Sequence, residues 1–260
     1  MGLSSFVFGQ MGNMRYKYFD LVMALFVTVL LVSNVASSAK IVDWGVSLFG
    51  LPLAFDAGTV LFPLSYIFGD VLTEVYGYRR SRRVIWTGFA CAALMSAVFW
   101  LVGRLPGEAT WSVNVGQEKY EAILGGVSTG AIVLASLVAY WGGEFSNSYI
   151  LAKMKILTKG RWLWTRTIGS TLVGEGVDTI AFISLATLFK VPGFDPSIWL
   201  ALVVTNYMWK CGIEALMTPV TYRIVNLLKQ TEREDYFDYG TDFNPFKLDD
   251  ERRATKDADQ

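Results

Sequence analysis

Histidine is absent from this 260-residue chain, and cysteine occurs only twice, at Cys91 and Cys211. The first absence removes the commonest metal ligand and the commonest proton shuttle. The two cysteines lie in apolar stretches, so a disulfide framework is not the design. Charge is scarce too, at 18% of residues, against about 25% in average soluble domains. It balances to zero, which leaves no broad basic face for nucleic acid. No G-x-x-x-x-G-K-[ST] occurs, which excludes nucleotide hydrolysis by a P-loop. The residues call for no cofactor and no metal.

What fills the chain instead is apolar: 53% hydrophobic residues and 15% aromatics, gathered into long runs with charges crowded between them. Runs of about 20 apolar residues read as membrane-spanning helices. Six are expected, at 18–39, 57–77, 84–103, 126–151, 167–189 and 197–222, so the fold class is an all-α integral membrane protein. Basic residues sort the connections. Arg15 and Lys17 precede the first span; Arg79, Arg80, Arg82 and Arg83 follow the second; Lys153, Lys155, Lys159 and Arg161 follow the fourth; Arg223 and Lys229 follow the sixth. The alternate connections hold only Lys40, then Arg104 and Lys119, then Lys190. Positive charge marks the cytoplasmic side, so both termini are expected inside. The organisation is then a cytoplasmic N-terminus at 1–17, a six-helix membrane domain at 18–228 and a polar tail at 229–260, expected to be mostly disordered. The stretch 42–55 is too short to span and is expected as a hairpin or re-entrant segment. An interfacial helix is expected within 107–124.

Inside the spans stand Asp70, Glu74, Glu144, Glu175, Asp178 and Glu214, with Lys210 as the one cation expected among them. Asp70, Glu144 and Glu214 each lie nine residues before a basic residue, and Glu175 lies nine after Arg166. At 1.5 Å per residue each is about 13 Å deep, near the middle of a hydrocarbon core about 30 Å thick. Helical spacing groups them further. Asn206, Lys210 and Glu214 form a stripe on the sixth span, Thr171, Glu175 and Asp178 on the fifth, and Tyr66, Asp70 and Glu74 on the second. Asn147 accompanies Glu144 on the fourth, and Asn34 stands on the first. Only the third span lacks strong polar residues and is expected to face lipid. An ionised side chain in mid-bilayer costs about 3 kcal/mol on insertion scales, so these groups must face one another or a wet cavity. Glu214, Lys210 and Glu74 are expected to form a buried ionic network. Trp209, Tyr66, Trp141 and Tyr207 are candidate stacking surfaces.

"SNVASSAK", "FPLSYIFGDVLTEVYGYRRSRR", "WGGEFSNSYILAKMK" and "RTIGSTLVGEGVDTIAF" together resemble the queuosine-precursor transporter family, also called the vitamin uptake transporter (VUT) family, over roughly 18–228. The resemblance implies a bacterial inner-membrane importer of 7-cyano-7-deazaguanine, with 7-aminomethyl-7-deazaguanine as a second candidate, and a fold similar to the substrate-binding subunits of energy-coupling-factor vitamin transporters. The implied partners are this small base and the bilayer, with a homo-oligomer as a guess. A carboxylate accepts both adjacent N–H donors of a guanine-like edge in a fork, and Glu175 or Glu144 is the candidate. Lys210, Asn206 or Asn147 would donate to the carbonyl, and Asp178 and Asp70 would manage water and protons. Asp70 is also the candidate for an aminomethyl ammonium. Besides a purely structural membrane protein, two other classes stay open at this point. One is a capture subunit served by a separate ATPase. The other is an intramembrane enzyme using Asp70 and Asp178 as an acid pair.

Overall fold

The computed structural model of the chain describes residues 16–48, 51–128, 130–191 and 194–247. Helix α1 (Phe19–Ala39) leads into an antiparallel hairpin, β1 (Ile41–Leu48) and β2 (Leu51–Asp56), with Ile41 opposite Asp56 and Leu48 opposite Leu51. The hairpin sits where the sequence predicts a hairpin or re-entrant segment, so the fold is helical with one small two-stranded element. A 3-10 turn (Ala57–Leu61) opens α2 (Phe62–Tyr76), and α3 (Tyr78–Arg104) follows at once. The α2–α3 break falls at Gly77, where φ is +86° and a Cβ would run into the Tyr236 ring. Glycine meets both demands. Next come α4 (Ala109–Asn114), α5 (Gly116–Ser128), α6 (Gly130–Leu157), α7 (Leu163–Leu188) and α8 (Trp199–Glu232). The expected interfacial segment at 107–124 is accordingly helical.

Among the described residues, four helical stretches are long and apolar enough to cross a membrane: α1, α3, the run Gly116–Leu157, and α7. The other two expected spans are helices of different character. With 15 residues, α2 is short, and it is the most enclosed element: Ile67, Val71, Leu72, Val75 and Tyr76 are all buried. They pack with Val22 and Phe26 of α1, Val84 of α3, Leu163 of α7 and Val225 of α8. A helix wrapped by others needs no lipid-facing side. Helix α8 is two-faced. Leu200, Val204, Met208, Leu216 and Val220 are exposed, while Glu214, Thr218, Thr221 and Val225 are buried. Pro219 lies inside it and leaves the Ala215 carbonyl without its helical donor. The outward residues of α3 (Leu94, Val98, Leu101) and α7 (Leu172, Val173, Val177, Ile180) continue the exposed apolar surface. A continuous exterior of this kind suits hydrocarbon rather than water, and α3 faces outward as its sequence implies.

The tail departs from its expectation over 233–247. Tyr236 N–H donates to the Val75 carbonyl at 3.3 Å, and Asp238 accepts from the Tyr78 N–H at 3.0 Å. Arg82, buried, donates to the carbonyls of Asp242 (2.9 Å) and Asn244 (2.6 Å). Trp86 donates to Pro245 O at 2.8 Å and Tyr78 OH to Phe243 O at 3.0 Å. Backbone carbonyls and aromatic rings, together with the carboxylates of Asp235 and Asp238, fasten this strap across α2, α3 and α6. The remainder of the expected tail, 248–260, lies outside the described residues. Glu232 closes the same end by accepting from the backbone of Lys17 and Tyr18 and from Tyr76 OH.

A chain ended after Glu232 loses Asp235 and the Tyr236 carbonyl as partners of Lys155, and the two carbonyls that Arg82 uses. Buried cations stripped of acceptors cost about 1–3 kcal/mol each. The truncated protein is expected to melt several degrees lower in detergent; an unchanged transition would show that the strap holds nothing. Burial alone would disfavour the Asp235 carboxylate, but hydrogen bonds from Lys155 and Lys229 outweigh it and hold the carboxyl below its ordinary value. Its contribution is therefore complete at neutral pH and is lost as pH falls below the ordinary carboxylate range. Asp238, pushed up by burial despite the Tyr78 N–H, acts in the opposite sense, favouring the strap less as pH rises through that range.

Candidate functional site

The polar residues of the bundle divide into two groups, one at its middle and one at its basic end. In the middle, Lys210 of α8 lies between two carboxylates of α7, 2.9 Å from Glu175 Oε2 and 2.6 Å from Asp178 Oδ2. The i, i+3 spacing puts both acids on one face of α7, and Lys210 reaches that face from the neighbouring helix. These side chains are not sealed: Lys210 is 15% exposed, Glu175 13% and Asp178 25%. Glu144 of α6 has Glu175, Asp178, Asp70 and Lys210 as its electrostatic neighbours. Asn147, one turn along α6, stands with Glu144 beside Gly69 of α2. Asp70 and Glu214 lie deeper, each 1% exposed, and are neighbours of one another.

Close helix contact makes this convergence possible. A Cβ on Gly143 would stand 2.8 Å from Asp178 Cβ, and one on Gly174 would stand 2.7 Å from Asn147 Cβ. These two glycines let α6 and α7 touch backbone to backbone, which brings the α6 and α7 polar faces to one place. Gly174→Val is expected to push the helices apart, at about 1–3 kcal/mol of overpacking, and to displace Asn147 and Asp178 together. Melting and ligand binding should both suffer; a variant that loses neither would mean that the close approach is not what places these groups.

The expected network of Glu214, Lys210 and Glu74 is not what forms. Lys210 meets Glu175 and Asp178 rather than Glu214, and Glu74 lies at the basic end. Arg166 grips it in a fork, Nε to Oε2 at 2.8 Å and Nη2 to Oε1 at 2.7 Å. Lys229 lies 2.5 Å from Oε1 and Lys155 3.5 Å. Asp235 of the strap answers the same two lysines at 2.7 and 2.6 Å. Lys210 is thus not the only cation inside the bundle, and Arg82, Lys155 and Arg166, each 1% exposed, are more deeply buried than it is. Beside this knot, the hydroxyls of Thr73, Ser81 and Ser148 bond at 3.0 Å and join α2, α3 and α6.

Other candidates stand apart from the middle cluster. Asn206 is exposed and donates to Leu202 O of its own helix, and Asn34 donates to Leu30 O of its own. A side-chain amide on a helix can satisfy itself this way, so spacing alone overstates its reach. Trp209 and Trp141 are half-buried; Trp141 packs in an aromatic group with Trp86 and Phe145. Tyr207 OH donates to Leu172 O. The Tyr66 side chain lies outside the described residues. Two surface grooves, one lined by Trp86, Cys91 and Leu94 and the other by Leu105, Trp111 and Tyr120, lie away from the cluster. Sequence reasoning missed Arg166, Lys155 and Lys229 as partners of Glu74; the available signal was a carboxylate near the basic end of a span with three cations at the same level.

The family described as "Putative vitamin uptake transporter" matches residues 56–224. A Bacillus subtilis (strain 168) protein named "Probable queuosine precursor transporter" is 29% identical over 189 residues, covering 72% of this chain and 78% of its own length. An Escherichia coli (strain K12) protein named "Queuosine precursor transporter" is 24% identical over 195 residues, 75% and 82% of the two chains. No solved structure matches.

Proposed function

The chain belongs to the vitamin uptake transporter family, a membrane transporter rather than an enzyme, and from that premise we propose that it imports queuosine precursors, 7-cyano-7-deazaguanine first and 7-aminomethyl-7-deazaguanine second, across a bacterial inner membrane. Six helices, the short enclosed α2 and the two-faced α8 among them, cross the bilayer with both termini in the cytoplasm. The positive residues of the connections support that orientation.

One observation carries the reading: carboxylates, an ammonium and an amide from α6, α7 and α8 meet in mid-bundle, partly open, where a flat polar base could be held. Glu175 already binds Lys210 at 2.9 Å. Glu144 faces the same cluster from α6 with no ion pair among the described residues, and it takes the fork role. It accepts the two adjacent N–H groups of the base, while Lys210 and Asn147 donate to the carbonyl. Asp178 keeps Lys210 in place.

A charge-assisted fork contributes about 1.5–3 kcal/mol, so Glu144→Gln should weaken binding of 7-cyano-7-deazaguanine about 10- to 100-fold. Calorimetry on the purified protein measures it. If Glu144→Gln and Glu175→Gln both bind as wild type does, the fork lies elsewhere.

A further inference from the structure

Asp70 and Glu214 are not among the groups assigned above to the guanine-like edge of the base. Asp70 comes from α2 and Glu214 from α8, and the two carboxyls are neighbours, flanked by Asn147 and Thr171. The nearby cations are engaged elsewhere. Lys210, one turn before Glu214, is turned to Glu175 and Asp178, and Arg166, Lys155 and Lys229 surround Glu74. The other charged or titratable groups facing the pair are Glu74, Arg166 and Glu144 toward Asp70, and Glu175 and Cys211 toward Glu214. None of the four carboxyl oxygens of the pair meets a donor in hydrogen-bonding geometry among the described residues.

An ionised carboxylate only accepts hydrogen bonds. Two of them, buried side by side with only the neutral Asn147 and Thr171 beside them and no ion pair among the described residues, would suffer both desolvation and mutual repulsion. One proton removes both difficulties. The protonated carboxyl donates, its neighbour accepts, and the pair carries a single negative charge. A chain without histidine must use such groups if it is to hold a proton inside the bundle.

We propose that Asp70 and Glu214 share one exchangeable proton and form the site through which a proton gradient drives uptake. The coupling half of this statement rests on the importer reading above. The pair sits beside Asn147 and Glu144, so arrival of the base and occupancy by the proton act on the same helices. Entry of the proton from one side and release to the other requires no covalent step.

The proton itself is tested without substrate. Infrared difference spectra of the reconstituted protein at neutral pH should show a carboxylic-acid carbonyl band that shifts in heavy water. D70N and E214Q should each remove the same intensity, and the double variant no more than either alone. A band untouched by both substitutions overturns the shared proton, as does a band that sodium ions abolish at fixed pH. Coupling is tested in proteoliposomes with labelled 7-cyano-7-deazaguanine. D70N and E214Q should keep exchange of the base across the membrane without a gradient, and lose gradient-driven accumulation about tenfold or more. Accumulation that survives in either variant, or that follows a sodium gradient at clamped pH, overturns the coupling. Wild-type protein that neither binds nor exchanges the base sinks the importer reading instead, and the infrared result then decides the proton site alone.

Discussion

Glu74→Ala should cost about 3–5 kcal/mol of stability, the range for removing one partner of a buried ion pair, the largest loss expected of any single substitution in the chain. Glu74 is fully buried, and Arg166 and Lys155 beside it are 1% exposed. Without the carboxylate, Arg166 loses both bonds of its fork, and Lys155 and Lys229 keep Asp235 as their shared carboxylate, with backbone carbonyls as the other acceptors of Lys155. Replacing Glu74 and Arg166 together, by Gln and Met, should recover much of the loss, because the damage comes from the stranded cation rather than from the missing pair. Thermal unfolding of the four proteins of that double-mutant cycle provides the measurement. Equal, additive losses would mean that the fork contributes nothing. The knot lies one helical turn from Asp70 on α2, so its loss should also disturb the cluster above it.

Lys210→Met is expected to abolish uptake, by about a hundredfold or more, the size of a stranded buried charge. The substitution retains the length and apolar stem of the side chain but leaves Glu175, Asp178 and Glu144 with no cation among them. Lys210 is bonded to two of these at 2.9 and 2.6 Å. Their mutual repulsion would open the α7–α8 contact or recruit protons, and either outcome removes the donor aimed at the base. Combining Lys210→Met with Asp178→Asn should restore folded yield but not uptake, which separates the structural part of the lysine's role from its part in binding. Uptake that persists in Lys210→Met would remove this lysine from the site.

That costly charges on apolar helices must find one another was legible, and periodicity put Glu175 and Asp178 on one face; which acids Lys210 meets was not, since spacing grouped it with Glu214 and Glu74 and the structure seats it between Glu175 and Asp178. The same periodicity misled at Glu74. It shares a face with Asp70 at i+4, yet one turn of rise carries it to a level where cations enter from α6, α7 and α8. Those cations, Lys155, Arg166 and Lys229, read in the sequence as markers of membrane orientation, a role that says nothing about which acid they bind. Asn206 shows the complementary error, since a stripe on a helix does not say whether an amide points outward and bonds its own backbone. The strap was illegible for a different reason. Its polar composition suggests disorder, whereas its order comes from carbonyls offered to Arg82, Lys155 and Trp86 and from Tyr236 seated on Gly77. Backbone acceptors leave no trace in a composition. The enclosed position of α2 follows from tertiary packing as well, and its 15 residues give little hint of it.

If this chain alone carries a deazaguanine base through the membrane, labelled 7-cyano-7-deazaguanine should enter proteoliposomes that hold only this protein. The base should accumulate above the external level when the lumen is made alkaline, and about 10- to 100-fold less at limiting concentration in Glu144→Gln vesicles. Tight binding without net entry under any imposed gradient would contradict transport by the chain alone and make it a capture subunit that depends on a separate ATPase.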